Sequence, residues 1–182
     1  MAYSNPTGYP STTQVIRPFI NTEFFDDEDL ERGSAVHEAM ALHALGLWTP
    51  PMRPDWQPYF DSGRAWFDKM VVDVVLVEER LVDEERGYCG QPDLIAVLKG
   101  DEMYKRKTLV DYKTSQAKDK WWPLQISSYR RLAEADRGLV CSRGMSVRFM
   151  KDGSTAKVDE YKNHDRYLNI FIGIVNAHNY FK

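Results

Sequence analysis

Two short segments of this 182-residue chain carry the side chains best suited to chemistry, Gly90-Gln91-Pro92-Asp93-Leu94-Ile95 and Leu109-Val110-Asp111-Tyr112-Lys113-Thr114. Side chains alternate faces along a strand, so Asp111 and Lys113 point the same way. A hairpin turning near Glu102 sets Asp93 roughly opposite Asp111, and directly opposed residues have Cβ atoms only about 5 Å apart. Two carboxylates facing each other beside a lysine, in strands otherwise filled with Leu, Ile and Val, repel unless something cationic sits between them. A hard divalent ion with oxygen ligands, Mg2+ or Mn2+, suits that position. Charge neutralisation at a phosphate, together with a water readied next to an ammonium group, is what phosphodiester hydrolysis needs. The plain alternative is a surface ion pair between Asp111 and Lys113, since acid-x-Lys is common by chance. The preceding Gly-x-x-Asp and the apolar runs flanking both segments make the pair more specific than that.

The elements that must position these residues follow from periodicity. Met1–Pro18, rich in Ser, Thr, Pro and Tyr, reads as an extended arm or loop. The acidic cluster Asp26-Asp27-Glu28-Asp29 leads into a helix over Leu30–Leu47, where Ala35, Ala39, Leu42 and Gly46 recur at helical spacing. Trp48-Thr49-Pro50-Pro51 ends it, and a second helix covers Gln57–Met70. The β-branched run Val71–Val82 reads as a strand, and Cys89–Leu98 and Thr108–Thr114 as two more, with a turn signal at Lys99–Glu102 and a basic run at Lys105–Lys107. Asp119–Ala135 reads as a helix capped by Asp119 or a nearby polar residue, with Pro123 in its first turn. Met145–Met150 and Ala156–Tyr161 follow as strands around a turn at Lys151–Gly153. Arg166–Phe181 closes the chain as a helix with Leu168, Phe171, Ile172 and Val175 on one stripe. This order predicts an α/β domain with a central mixed sheet flanked by helices.

Composition bounds the partners. The length supports one globular domain, taken as residues 1–28 for an N-terminal arm and loop and 29–182 for the core. Two cysteines, Cys89 and Cys141, are too few for a disulfide framework and lack zinc-site or iron–sulfur spacing. Met1–Ser11 has neither the basic start nor the apolar run of a signal peptide, and no stretch is long enough to span a membrane, so a cytoplasmic location is expected. The net charge of −3 hides an asymmetry. Residues 1–98 hold 7 Lys and Arg against 17 Asp and Glu, a balance of −10, whereas residues 99–182 hold 17 against 10, a balance of +7. One basic face on a mildly acidic protein permits a polyanionic partner.

Gly90…Asp93 followed by Asp111-Tyr112-Lys113-Thr114-Ser115 resembles the G-x-x-D…D-x-K-T-S signature of RecB-type nucleases in the PD-(D/E)XK superfamily. Arg32-Gly33-x-x-x-His37 resembles the R-G-x-x-x-H motif upstream of that core, and Gln125-x-x-x-Tyr129 the Q-x-x-x-Y motif after it. Pro10-Ser11-Thr12-Thr13 is similar to the P-S-x-T start of phage-type and mitochondrial-type members. The motifs run in the family's order from about residue 10 to about 130. The resemblance implies a restriction-endonuclease-like αβββαβ core and a Mg2+- or Mn2+-dependent deoxyribonuclease. It makes Asp93, Asp111 and His37 metal ligands together with the main-chain carbonyl of Tyr112, and gives Lys113 the attacking water. It sets Gln125 and Tyr129 along the active-site cleft, and it gives Gly33 the task of letting its helix approach the sheet. It also implies one further carboxylate near the end of the Val75–Val82 strand; Glu78 before Leu81 fits, with Glu79 in reserve. Taken as lone residues, His37 is a packing histidine and Gln125 and Tyr129 are a polar helix face.

Lys118, Lys120, Trp121 and Trp122 follow the second segment at once, and basic residues with aromatics can grip phosphates and stack on an unpaired base. The equal alternative is that both tryptophans cap the core. Arg130 and Arg131 are candidate phosphate contacts on similar grounds. The iron–sulfur cluster of CRISPR-associated relatives is excluded by the cysteine count, and no P-loop is present, so a recombinase, helicase or single-strand-binding partner would supply any unwinding. Family analogy favours an exonuclease acting on DNA ends or single-stranded tails in recombination, repair or phage DNA processing. A structure-specific endonuclease on the same core, and a non-catalytic DNA-binding module with a relict site, are the alternatives.

Overall fold

The computed structural model describes residues 8–20 and 26–181. Its elements are α1 (Thr12–Ile16), α2 (Asp27–Ala44), α3 (Gln57–Met70), β1 (Val71–Val77), β2 (Leu81–Asp83), β3 (Tyr88–Gly90), β4 (Leu94–Leu98), β5 (Lys107–Lys113), α4 (Trp122–Arg137), β6 (Cys141–Arg148), β7 (Lys157–Glu160) and α5 (His164–Tyr180). A mixed five-stranded sheet in the order β1-β4-β5-β6-β7 forms the centre, and β2 and β3 make a separate two-stranded ribbon. Within this sheet β5 and β6 are the one parallel pair among the described residues, and α4 supplies the crossover that a parallel pair requires.

Both faces of the sheet are covered. On one, Val36, Ala39 and Met40 of α2 and Tyr59, Phe60 and Trp66 of α3 pack on Leu94, Ala96, Val110, Tyr112 and Val147. On the other, Val15 and Ile16 of α1, Ile126, Tyr129 and Leu132 of α4 and Phe171 and Val175 of α5 pack on Leu76, Ile95 and Leu109. Strand alternation thus assigns Tyr112 to the α2 side, and Asp111 and Lys113 to the α4 side. Among the described residues, no helix is long and apolar enough to cross a membrane.

The hairpin register follows the sequence expectation. Leu94 pairs with Val110, Ile95 with Leu109, Ala96 with Thr108 and Val97 with Lys107, so one further step sets Asp93 opposite Asp111. Other boundaries differ. The expected strand Val71–Val82 breaks at Glu78, whose φ of 49° lies in the left-handed region, so only Val71–Val77 joins the main sheet. Cys89–Leu98 likewise divides at Gln91-Pro92-Asp93, because Pro92 has no amide for a ladder.

Helix α2 starts earlier than periodicity predicts, at Asp27, because the Asp26 carboxylate caps it by accepting from the Asp29 amide at 2.7 Å. Its buried stripe is Val36, Ala39 and Met40 rather than Ala35, Ala39, Leu42 and Gly46. Asp119 does not cap α4, which begins at Trp122 without a side-chain cap. The arm is not wholly extended: within its described part, Ser11 and Gln14 form a capping box that starts α1, and Thr12 is fully buried. Met1–Thr7, the rest of the expected arm, lies outside the described residues.

Candidate active site

Three strand ends meet at one end of the sheet: the end of β1, the start of β4 and the end of β5. Asp93 sits just before β4 and is held from two sides. Its Oδ2 accepts the Tyr112 amide at 2.5 Å, and its Oδ1 lies 3.1 Å from His37 Nδ1. In a strand the amide and carbonyl of one residue leave on the same side, so the Tyr112 carbonyl is turned toward Asp93 as well. Glu78 closes the group. Its amide donates to the Asp93 carbonyl at 3.2 Å and its carboxylate accepts from Gln91 Nε2 at 2.7 Å. Ligand atoms of His37, Glu78 and Asp93 all lie within 4.8 Å of one another. Glu79, by contrast, turns outward to Arg137 at 3.3 Å, so Glu78 is the acid that faces the centre.

Asp111 and Lys113 stand beside this group on the α4 side. The Lys113 ammonium lies 2.5 Å from Asp111 Oδ2 and donates to Gln125 Oε1 at 2.8 Å. Gln125 in turn donates from Nε2 to the Tyr129 hydroxyl at 3.1 Å. The ammonium sits 5.0 Å from the ring centre of Trp121 and 5.6 Å from that of Trp122, a cation–π enclosure. Two groups thus stand side by side: His37, Glu78 and Asp93, with the Tyr112 amide on Asp93, and the Asp111–Lys113–Gln125–Tyr129 chain, so Asp111 lies outside the three-residue ligand cluster, paired with Lys113.

Electrostatics at the centre reflect burial and mutual repulsion. Burial alone would lower the His37 pKa, but the charge and hydrogen bond of Asp93, with Glu78 and Asp111 nearby, raise it to about 9. Burial, reinforced by the Asp93 charge, pushes Glu78 up to about 7. Burial also raises Asp111 to about 6, against the pull of Lys113 and together with the Asp93 charge. Asp93 goes the other way: burial raises it, but His37, Lys113 and the Tyr112 amide together hold it below the ordinary carboxylate range. Burial and the mutual repulsion of the acids thus raise Glu78 and Asp111, while the cationic neighbours His37 and Lys113 favour the ionised form of Asp93.

The remaining candidates divide. Trp122 is 2% exposed and belongs to the core, and Trp121 is half-buried against the α4-side cluster. Neither is a free platform for a base; their nearer role is to enclose Lys113. Arg130 donates twice to the Cys141 carbonyl, at the opposite end of β5 and β6 from the site. Arg131 binds the buried Asp83 at 3.1 Å. Both guanidinium groups are engaged with the protein rather than turned to the site. Lys118 is exposed and pairs with Asp159, and Lys120 is exposed.

Sequence reading missed the role of Gln91 and the enclosure of Lys113. No periodicity marks Gln91, whose partner lies thirteen residues earlier. Gly33 does not need to be glycine for close approach, since an added Cβ would meet only Thr114 Oγ1 at 3.8 Å. Gly90 does: its Cβ would lie 2.6 Å from Tyr129 Cε1 and 2.7 Å from Leu132 Cδ1. A cleft of about 340 Å³ lined by His43, Trp48, Gln57 and Arg64 contains none of the converging residues. In comparisons with known proteins, the chain matches no family model and no curated protein.

Proposed function

We propose that this chain is a metal-dependent deoxyribonuclease of the PD-(D/E)XK type, hydrolysing DNA phosphodiester bonds with Mg2+ or Mn2+. The observation that carries the reading is the Lys113 ammonium held between Asp111 and Gln125, directly beside the Asp93–His37–Glu78 group. The sheet order β1-β4-β5-β6, with α4 between its last two strands, agrees with the αβββαβ core that the sequence resemblance implies.

The donor set fits a hard divalent ion. Two carboxylates and one imidazole, with no thiolate among them, suit Mn2+ or Mg2+ better than a thiolate-seeking ion. Asp93, His37 and Glu78 would hold it, with Asp111 and the Tyr112 carbonyl alongside. Bound there, the ion would neutralise phosphate charge and ease deprotonation of a water.

The chain's own groups do the rest. Lys113 donates to Gln125 and is ion-paired with Asp111, and an ammonium has three protons, so one stays available for the attacking water or a phosphate oxygen. Because two side chains and two indole rings fix the ammonium beforehand, it opposes the charge that grows on phosphate oxygens without reorganising. Tyr129 orients the Gln125 carboxamide so that its oxygen, not its nitrogen, meets Lys113. Exposed Lys118 and Lys120 at the β5–α4 loop supply phosphate contacts near the site.

The test is digestion of end-labelled linear and circular DNA, single- and double-stranded, with Mn2+, comparing wild type with Lys113→Ala. Cleavage by wild type and none by the variant supports the reading, and equal rates remove Lys113 from it. Cleavage confined to linear substrates supports the exonuclease that the family resemblance favours, whereas cutting of circles makes it an endonuclease. Tight DNA binding with no cleavage by wild type makes it a binding module.

A further inference from the structure

We propose that Gln91 is a positioning residue for the divalent-cation site, acting through Glu78. This rests on the metal-dependent reading above and names a residue that neither the motifs nor the convergence of acids identifies. Glu78 is the least anchored of the three ligand candidates. Asp93 is fixed by the Tyr112 amide and by His37, and His37 rides on a regular helix. Glu78 lies beyond the last pairing of β1, Val77 with Leu94, at a left-handed φ of 49°, on a longer side chain than Asp93. The charge of Asp93 repels its carboxylate. Left alone, that carboxylate would turn to solvent, as the neighbouring Glu79 does.

The Gln91 carboxamide opposes this at one defined atom, donating from Nε2 to Glu78 Oε2 at 2.7 Å. Its own placement is stiff. Gly90, one residue earlier, is pressed so closely against Tyr129 and Leu132 of α4 that no side chain fits, and Pro92 follows in a buried position. The same three residues that carry Asp93 into the site therefore carry the group that aligns Glu78. A neutral amide is the chemistry this task calls for. It satisfies one carboxylate oxygen and leaves the other for an ion, whereas a cation there would compete with the ion and an acid would repel Glu78.

The experiment measures Mn2+ binding to the full chain by titration calorimetry, with no DNA present, for wild type, Gln91→Met, Glu78→Gln and the double variant. Methionine keeps the length of glutamine and removes the donor, and a melt in chelator reports whether each variant folds. The expected result is an affinity about 10- to 100-fold weaker for Gln91→Met. In the Glu78→Gln background the same change should cost nothing further, because its effect passes through that carboxylate. An unchanged affinity in Gln91→Met overturns the proposal while leaving the metal site standing. A loss of equal size in both backgrounds also overturns it, as a general packing effect. If wild type binds no Mn2+, both this proposal and the metal-dependent reading fall.

Discussion

The Lys113 ammonium donates to Gln125 Oε1 at 2.8 Å, tying the end of β5 to the first turn of α4. That bond and the contact with Asp111 hold the ammonium through two partners, so its charge and its direction can be removed separately. Removing the charge in Lys113→Ala should lower cleavage by at least about 100-fold. Gln125→Met keeps the charge and frees its direction, and should cost about 10- to 100-fold in kcat. Rates on one labelled substrate, with circular dichroism as the control for folding, check both. Equal losses in the two variants would contradict the separation of roles.

Protonation at the centre should make the metal-free stability fall with pH and the stabilisation added by a bound ion grow with it. In the metal-free chain Asp111 is raised to about 6, Glu78 to about 7 and His37 to about 9. A group whose folded pKa lies above its unfolded value contributes stability below the unfolded value and loses it as pH rises through the folded one. The metal-free Tm should therefore fall from about pH 5 to about pH 9 through these three groups. Asp93 is shifted down, so its contribution is present above the ordinary carboxylate range and is lost only on acidification below it. Ligands must shed protons to bind an ion, so Mn2+ should raise Tm more as pH increases. Melts in chelator and in Mn2+ across that interval measure both slopes, and a metal-free Tm that climbs toward pH 9 would refute the assignment.

Two glycines should respond in opposite directions. Gly90→Ala places a Cβ within 2.6 Å of Tyr129 Cε1 and should destabilise the fold by about 1–3 kcal/mol. Because Tyr129 supports Gln125, activity should drop with it. Gly33→Ala meets nothing nearer than 3.8 Å inside α2 and should stabilise by about 0.5–1 kcal/mol. Denaturant titration reads both signs.

Basic residues should separate by what they already bind. Arg131→Met leaves the buried Asp83 short of a partner and should cost about 1–3 kcal/mol of stability while DNA affinity stays near wild type. Trp122→Ala should cost about 3–5 kcal/mol as a core truncation. Lys120→Ala should leave stability unchanged, weaken DNA binding and reduce its salt dependence by nearly one unit of slope. Binding isotherms at several salt concentrations distinguish the groups, and a loss of affinity confined to Arg131→Met would reverse the assignment.

What the sequence by itself determined is the part ruled by covalent geometry and local order. Alternation placed Asp111 and Lys113 on one face, a mirror point near Glu102 set the β4–β5 register, and helical spacing aligned Gln125 with Tyr129. Tertiary structure alone decided which neighbours each group meets. Glu78 and Glu79 are adjacent and chemically alike, and only the turn after β1 sends one inward and the other to Arg137. Trp122 could have stacked on a base until packing buried it, and Arg130 could have met phosphate until the crossover of α4 carried it to Cys141. Gln91 has no periodic signature at all. Its partner is selected by the approach of two strand ends through space, an outcome settled by burial and chain closure rather than by any spacing within the segment.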